Sequence, residues 1–87
     1  GGQPILVHDL ECIAQDIKHM MRESGFLLAM IGERDPGKVE TLMRETELEA
    51  ENDVRLVPGT ALMQRLGNEQ FAFVAETVDF GQLKVTF

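Results

Sequence analysis

The sequence predicts a two-layer α+β fold in which two helices pack on a mostly antiparallel sheet of four to five strands. Three observations lead to this prediction: a long helical period near the start, a capped helix start at Asp35-Pro36, and two-residue alternation towards the end. With 87 residues, the chain is close to the size at which a single core suffices. We therefore expect residues 1–87 to form one small domain. Gly1-Gly2 is expected to be a tag remnant, and the chain to be either complete or a fragment of a longer protein.

The composition narrows the classes of function. Fifteen acidic residues against eight basic ones give a net charge of -7, whereas nucleic acids and anionic membranes are bound through Lys and Arg. We therefore expect no direct nucleic-acid binding and no membrane. The longest apolar run, Phe26 to Ile31, is far shorter than the ~20 residues of a membrane helix. One cysteine, Cys12, cannot form an internal disulfide, which indicates a reducing, cytoplasmic location.

The first predicted helix is HDLECIAQDIKHMMRES. At about 100° per residue its apolar side chains fall within one arc of about 120°. This arc contains Leu10, Ile13, Ala14, Ile17, Met20, Met21 and Ser24. Gly25 can adopt a positive φ and end the helix, and Phe26 can pack back on its last turn. The next run, FLLAMI, is uniformly apolar and is predicted as a buried central strand.

The stretch GERDPGKV, residues 32–39, nearly spells the phosphate-binding signature G-x-x-x-x-G-K-[ST]. Val39 replaces the hydroxyl that would hold magnesium, Glu33 and Asp35 are negative, and Pro36 lacks an N–H. We interpret the stretch as a turn that leads into the second helix, with Asp35 as its N-cap and Pro36 at its first position. Within this helix, the residues that recur at helical spacing are Val39, Leu42, Met43 and Thr46.

Residues 47–57, ELEAENDVRLV, alternate with a period of two. Either the helix continues to about residue 50 and one strand follows, or it stops near residue 46 and a hairpin begins. Glutamates oppose the dipole at a helix C-terminus and favour the earlier stop. TALMQRL is expected to form a short helical turn. QFAFVAETV and QLKVTF are predicted antiparallel strands; both faces of the first are apolar over part of its length, which indicates a central position or a covered second face.

A stripe of potential metal ligands lies opposite the apolar arc of the first helix. Its residues are spaced by 4, 4, 3 and 4 positions and are His8, Cys12, Asp16, His19 and Glu23. The predicted metal ligands are His8, Cys12, Asp16 and His19. One straight helix offers only two or three ligands to an ion, and the chain has no other Cys or His. The alternative is an ordinary solvated helix face, so no cofactor is expected.

The signals for catalysis are weak, because nothing in the sequence fixes a base beside Cys12 and the carboxylates read as charged faces. We therefore predict a small non-catalytic accessory, adaptor or regulatory protein that acts through self-association or a protein partner. Its predicted interaction residues lie on the last hairpin, whose final strand is a potential sheet edge. They are Phe80, Leu83, Lys84, Val85 and Phe87.

Two other functions remain open at this point. The first is a small-ligand or metal-responsive domain that uses the His8, Cys12, Asp16 and His19 face. The second is an acidic inhibitor or nucleic-acid mimic, for which the acidic run Glu45–Asp53 would have to crowd one surface.

Overall fold

A computed structural model describes residues 9–67 and 69–87 of the chain. The described elements, in chain order, are α1 (Leu10–Ser24), α2 (Phe26–Gly32), α3 (Pro36–Ala50), β1 (Leu62–Gly67), β2 (Gln70–Thr77) and β3 (Gly81–Thr86). The strands form an antiparallel sheet in the order β1-β2-β3. The predicted α+β class is confirmed. The predicted four to five strands and two helices are wrong, since the described chain has three of each.

Helix α1 is the element that the sequence predicts best. The Asp9 carboxylate accepts a hydrogen bond from the backbone N–H of Cys12 at 3.0 Å and caps the helix start. Gly25 ends the helix with φ +77°, a left-handed conformation that favours glycine. Ile13, Ile17 and Met21 are buried, as their spacing predicts.

The apolar run FLLAMI is a helix, so its prediction as a central strand is wrong. In α2 the backbone N–H of Ala29 donates to the carbonyl of Gly25, and only Met30 is fully buried. Phe26 is partly buried, whereas Leu28 is 78% exposed. Burial therefore recurs on one side at helical spacing, and it lacks the two-sided burial of a central strand.

Helix α3 begins as the sequence predicts. The Asp35 carboxylate accepts from the N–H of Gly37 at 2.9 Å, and Pro36 occupies the first turn. The helix continues to Ala50, as the first alternative predicts, but the strand that this alternative places directly after the helix is wrong, since residues 51–55 form turns and a bend. After it, turns lead to a single bridge between Leu56 and Thr77.

The last two strands are confirmed, and β2 is central. TALMQRL was expected to be a helical turn, and this prediction is wrong because its residues from Leu62 onward form β1. Met63, the buried residue of this strand, pairs with Phe73 of β2. Pairing with an apolar central strand explains why this segment, whose own pattern is short, is extended.

One face of the sheet supplies half of the core. Its buried side chains are Met63, Phe71, Phe73, Ala75, Leu83 and Val85. The helices contribute the other half, mainly Ile13, Ile17, Met21, Met30, Val39 and Ala50. Helix α1 packs along β3, α3 packs along β1, and α2 contacts both other helices. Each large side chain in this core contributes about 1.5–3 kcal/mol to folding through its removal from water.

Candidate functional site

The two edges of the sheet differ. The edge at β1 is covered by carboxylates of α3: Glu47 accepts a hydrogen bond from the backbone N–H of Met63 at 2.7 Å. One turn later, Glu51 accepts from the N–H groups of Gly59 at 2.8 Å and Ala61 at 3.0 Å. The backbone donors up to Met63 at the start of this edge are thereby satisfied within the chain; the N–H of Arg65 also points away from β2, and no hydrogen bond between described residues engages it.

The edge at β3 is open in the described chain. Phe71 and Phe87 exchange both backbone hydrogen bonds, at 3.5 and 2.8 Å. Because bonded and non-bonded pairs alternate in an antiparallel ladder, the backbone groups of Gln82, Lys84 and Thr86 point away from β2. These three residues are exposed, and no hydrogen bond between described residues engages their N–H groups. The open edge is therefore able to pair with another strand.

The outer face of the sheet carries an apolar row beside this edge. Leu62, Val74 and Lys84 lie side by side across the three strands. Leu62 is 48% exposed, and Leu66 at the bulged end of β1 is 53% exposed. None of the described helices covers them. Of these three residues, Lys84 is therefore nearest to a strand added at β3, and Val74 and Leu62 lie behind it.

The structure separates the predicted interaction residues into two groups. Leu83 and Val85 are buried in the core, and Phe87 is partly buried, so they hold the strand in place. Lys84 and the hairpin residue Phe80 are exposed. Because the side chains of β3 alternate between the core and the outer face, its even-numbered residues present both their side chains and their outward backbone groups to a partner.

Three of the four predicted metal ligands, Cys12, Asp16 and His19, lie within the described residues. His8 lies outside the described residues, and His19 is exposed on α1. Asp16 accepts a hydrogen bond from the Arg55 guanidinium at 2.8 Å. Within residues 9–67 and 69–87, no group of three or more His, Cys, Asp and Glu side chains is placed to hold a metal ion. Cys12 is a free, half-buried thiol.

A cluster around Arg55 was not predicted from the sequence, because one of its members, Asp16, lies 39 residues away in the chain. Arg55 pairs with both Asp53 and Asp16 and joins the turn after α3 to α1. The Asp53 carboxylate also accepts from the backbone N–H of Arg55 at 2.9 Å. The guanidinium hydrogen bond is the main cause that lowers the pKa of Asp53, against a smaller opposing effect of burial. The cluster is a structural tie between two elements.

The phosphate-like stretch and the acidic run both contain residues with structural roles. Val39, at the position of the missing hydroxyl in the phosphate-like stretch, is buried in the core, and Asp35 caps α3. In the acidic run, Glu47 and Glu51 are bound to the sheet edge. Glu45 and Glu49 point to solvent. The acidic run therefore does not act as one surface.

None of the described helices has the length and apolar character that crossing a membrane requires. Residues 1–86 match the family described as "Protein of unknown function (DUF2590)", and the chain belongs to that family. It is similar to an uncharacterized 12.7 kDa protein in the lys 3′ region of Haemophilus phage HP1. The two are 41% identical over 85 residues, which cover 95% of this chain and 75% of the relative. No solved structure matches the chain.

Proposed function

We propose that this member of the DUF2590 family is a small, non-catalytic accessory protein of a phage, and that it acts by binding another protein chain along β3. The observation that carries the proposal is the difference between the two sheet edges. The donors of Gly59, Ala61 and Met63 before and at the start of β1 are held by Glu47 and Glu51, whereas none of the outward N–H groups of Gln82, Lys84 and Thr86 has a described partner. A strand added at β3 gains main-chain hydrogen bonds and extends the sheet.

The chemistry beside the edge defines the partner strand. Lys84 is the charged residue at the middle of the open edge, so an acidic residue opposite it is favoured. Val74 continues the same row behind Lys84 on the outer face, so an apolar side chain of the partner that leans over Lys84 is favoured; Leu62 lies on the far strand, about three strand spacings from an added strand. The phage origin of a relative 41% identical to this chain supports a phage role.

The test is a proline at the open edge. The N–H of Lys84 points outward, so Lys84→Pro removes a donor that only a partner can use, and proline is tolerated on edge strands. Val85 is unsuitable, because its N–H faces β2 and its side chain is buried. Lys84→Ala is the matched control, since it removes the same side chain and keeps the N–H.

Wild-type and both variants are immobilised and exposed to a lysate of phage-producing cells, and far-UV circular dichroism confirms that each is folded. We expect a phage protein to be retained by wild-type and Lys84→Ala and lost with Lys84→Pro. Hydrogen exchange then checks the contact directly: the amides of Gln82, Lys84 and Thr86 should slow when the retained protein is added. Equal retention by the proline variant, with unchanged exchange at these amides, would contradict binding along β3.

A further inference from the structure

A cleft lies between the end of α1 and the start of α2, away from the outer sheet face. Its volume is about 180 Å³, and its lining is mostly apolar. The residues that line it are Lys18, Met21, Arg22, Gly25, Leu27, Leu28 and Phe87. Pockets for small molecules usually measure about 300–1,000 Å³. This cleft is smaller, so it fits one or two side chains of a protein partner better than a cofactor.

The cleft is positively charged in an otherwise acidic protein. Lys18 and Arg22 are exposed, lie one turn apart on α1, and are joined by no carboxylate among the lining residues. Within the described chain, ion pairs closer than 4.0 Å occur only at Arg55. The cleft therefore suits an apolar side chain that has carboxylates beside it.

Such a group is present on the surface of α3. Leu48 is 63% exposed, although it is a large aliphatic residue. Glu45 lies three residues before Leu48 and Glu49 directly after it, so both carboxylates project beside Leu48 on one side; the exposed Arg44, four residues before Leu48, lies on its other side. Both carboxylates are exposed, and no hydrogen bond between described residues engages them. We call Glu45, Leu48 and Glu49 the α3 patch.

We propose that the α3 patch of one copy binds in the α1–α2 cleft of a second copy, with Leu48 among the apolar lining and Glu45 and Glu49 beside Lys18 and Arg22. The two surfaces differ, so the contact is head-to-tail. Repetition of such a contact gives a closed ring or an open filament. Phe87, directly after β3, lines the cleft, whereas Gln82 and Lys84 do not, so the assembly can present several β3 edges to the partner and bind it more tightly than one copy does.

The test uses reversed charges on the two surfaces. One variant, Lys18→Glu with Arg22→Glu, makes the cleft negative; the other, Glu45→Lys with Glu49→Lys, makes the patch positive. Each variant alone brings like charges together, so we expect the dissociation constant of self-association to rise at least about tenfold. In an equimolar mixture each altered surface meets an opposite charge on the other variant, and association should return.

The measurement is sedimentation velocity over a wide range of protein concentration. All four altered residues are exposed, and far-UV circular dichroism checks that each variant is folded. Arg34→Glu with Lys38→Glu is the matched control, since it changes the net charge by the same amount at exposed residues outside the cleft. We expect this control to associate as wild-type does.

Three results would overturn the proposal. They are a wild-type protein that stays monomeric over the whole range, a mixture that stays dissociated, and a control that loses association as the cleft variant does. The Lys84→Pro variant separates this proposal from binding along β3. Because its substitution lies outside both surfaces, we expect it to keep the head-to-tail association; its loss would assign self-association to β3 instead.

Discussion

Replacement of Glu51 by alanine should destabilise the fold more than any other change of an exposed or half-exposed glutamate on α3, with the exception of Glu47. One oxygen of Glu51 accepts hydrogen bonds from Gly59 at 2.8 Å and from Ala61 at 3.0 Å. These bonds fix the turn that leads from α3 into β1. Their loss leaves two backbone donors at a sheet edge without their partner.

The expected loss follows from the exposure of the two donors. A hydrogen bond to a charged group contributes about 1.5–3 kcal/mol when it is buried. Gly59 is exposed and Ala61 is half-buried, so water replaces part of what is lost. We therefore expect Glu51→Ala to lower the free energy of unfolding by about 2 kcal/mol. For a domain of this size, that change lowers the midpoint of thermal unfolding by about 8–16 °C.

The assay is urea unfolding followed by far-UV circular dichroism, because the chain has no Trp or Tyr for fluorescence. Glu51→Gln keeps an oxygen acceptor and should lose only about 1 kcal/mol. Glu40→Ala is the control, since Glu40 is exposed on the same helix and no described hydrogen bond engages it; its effect should stay within about 0.5 kcal/mol. Equal midpoints for Glu51→Ala and Glu40→Ala would refute the assignment of Glu51 as a clamp on β1.

Two further changes test other parts of the fold. Arg55 lowers the pKa of Asp53, so the folded carboxylate stabilises the protein above the usual pKa of about 3.9, and this contribution disappears as the pH falls through the lower folded value. Asp53→Asn should therefore lower the free energy of unfolding in urea by about 1 kcal/mol at pH 7, and this difference from wild-type should shrink as the pH falls through the lowered pKa of Asp53; a difference that stays constant into acid would contradict this. Gly25→Ala places a side chain at φ +77° and should cost about 1 kcal/mol by the same assay, although nothing lies within 4 Å of the added Cβ; an unchanged midpoint would show that the left-handed end of α1 carries no strain.

Sequence patterns predicted the elements that bury one well-defined face. Helix α1 has seven residues in one arc and a glycine stop, and β3 alternates strictly, so local pattern and tertiary burial agree. The run FLLAMI shows no hydrophobic periodicity, because all its residues are apolar. In the structure only Met30 of this run is fully buried. Which side of such a run faces the core is decided by the neighbours, and those are not visible in the run itself.

The candidate sites were predictable to a smaller extent. The exposed edge at β3 follows from its position as the last strand and from its alternation, and Lys84 was identified on it. The cover over the start of β1 was not predicted, since it depends on Glu47 and Glu51, whose carboxylates bind residues 8 to 16 positions away. The α1–α2 cleft was also missed, because it exists only if residues 26–32 are helical.

The glutamates after Thr46 show how one pattern can have two structural meanings. Their two-residue spacing is that of a strand, yet the segment is helical to Ala50. On a helix, residues two apart differ by about 200°, and residues four apart by about 40°. The spacing therefore divides the acids into two pairs on different sides of α3. Glu47 and Glu51 bind the backbone beside β1, which offsets their unfavourable position at the helix C-terminus.

Glu45 and Glu49 are left on the solvent side, together with Leu48. Because only the inner pair binds the backbone beside β1, a loss of the outer pair should leave the fold intact and change only what the surface binds. Glu45→Lys with Glu49→Lys should therefore keep the free energy of unfolding of the monomer, measured in urea, within about 1 kcal/mol of wild-type, while it raises the dissociation constant of self-association at least about tenfold. Charge reversal at Glu47 and Glu51 should instead destabilise the region around β1. The measurement is amide hydrogen exchange, which should become faster at Ala61 and Met63. If the two pairs had the same effect, the division of α3 into an inner and an outer acidic side would be wrong.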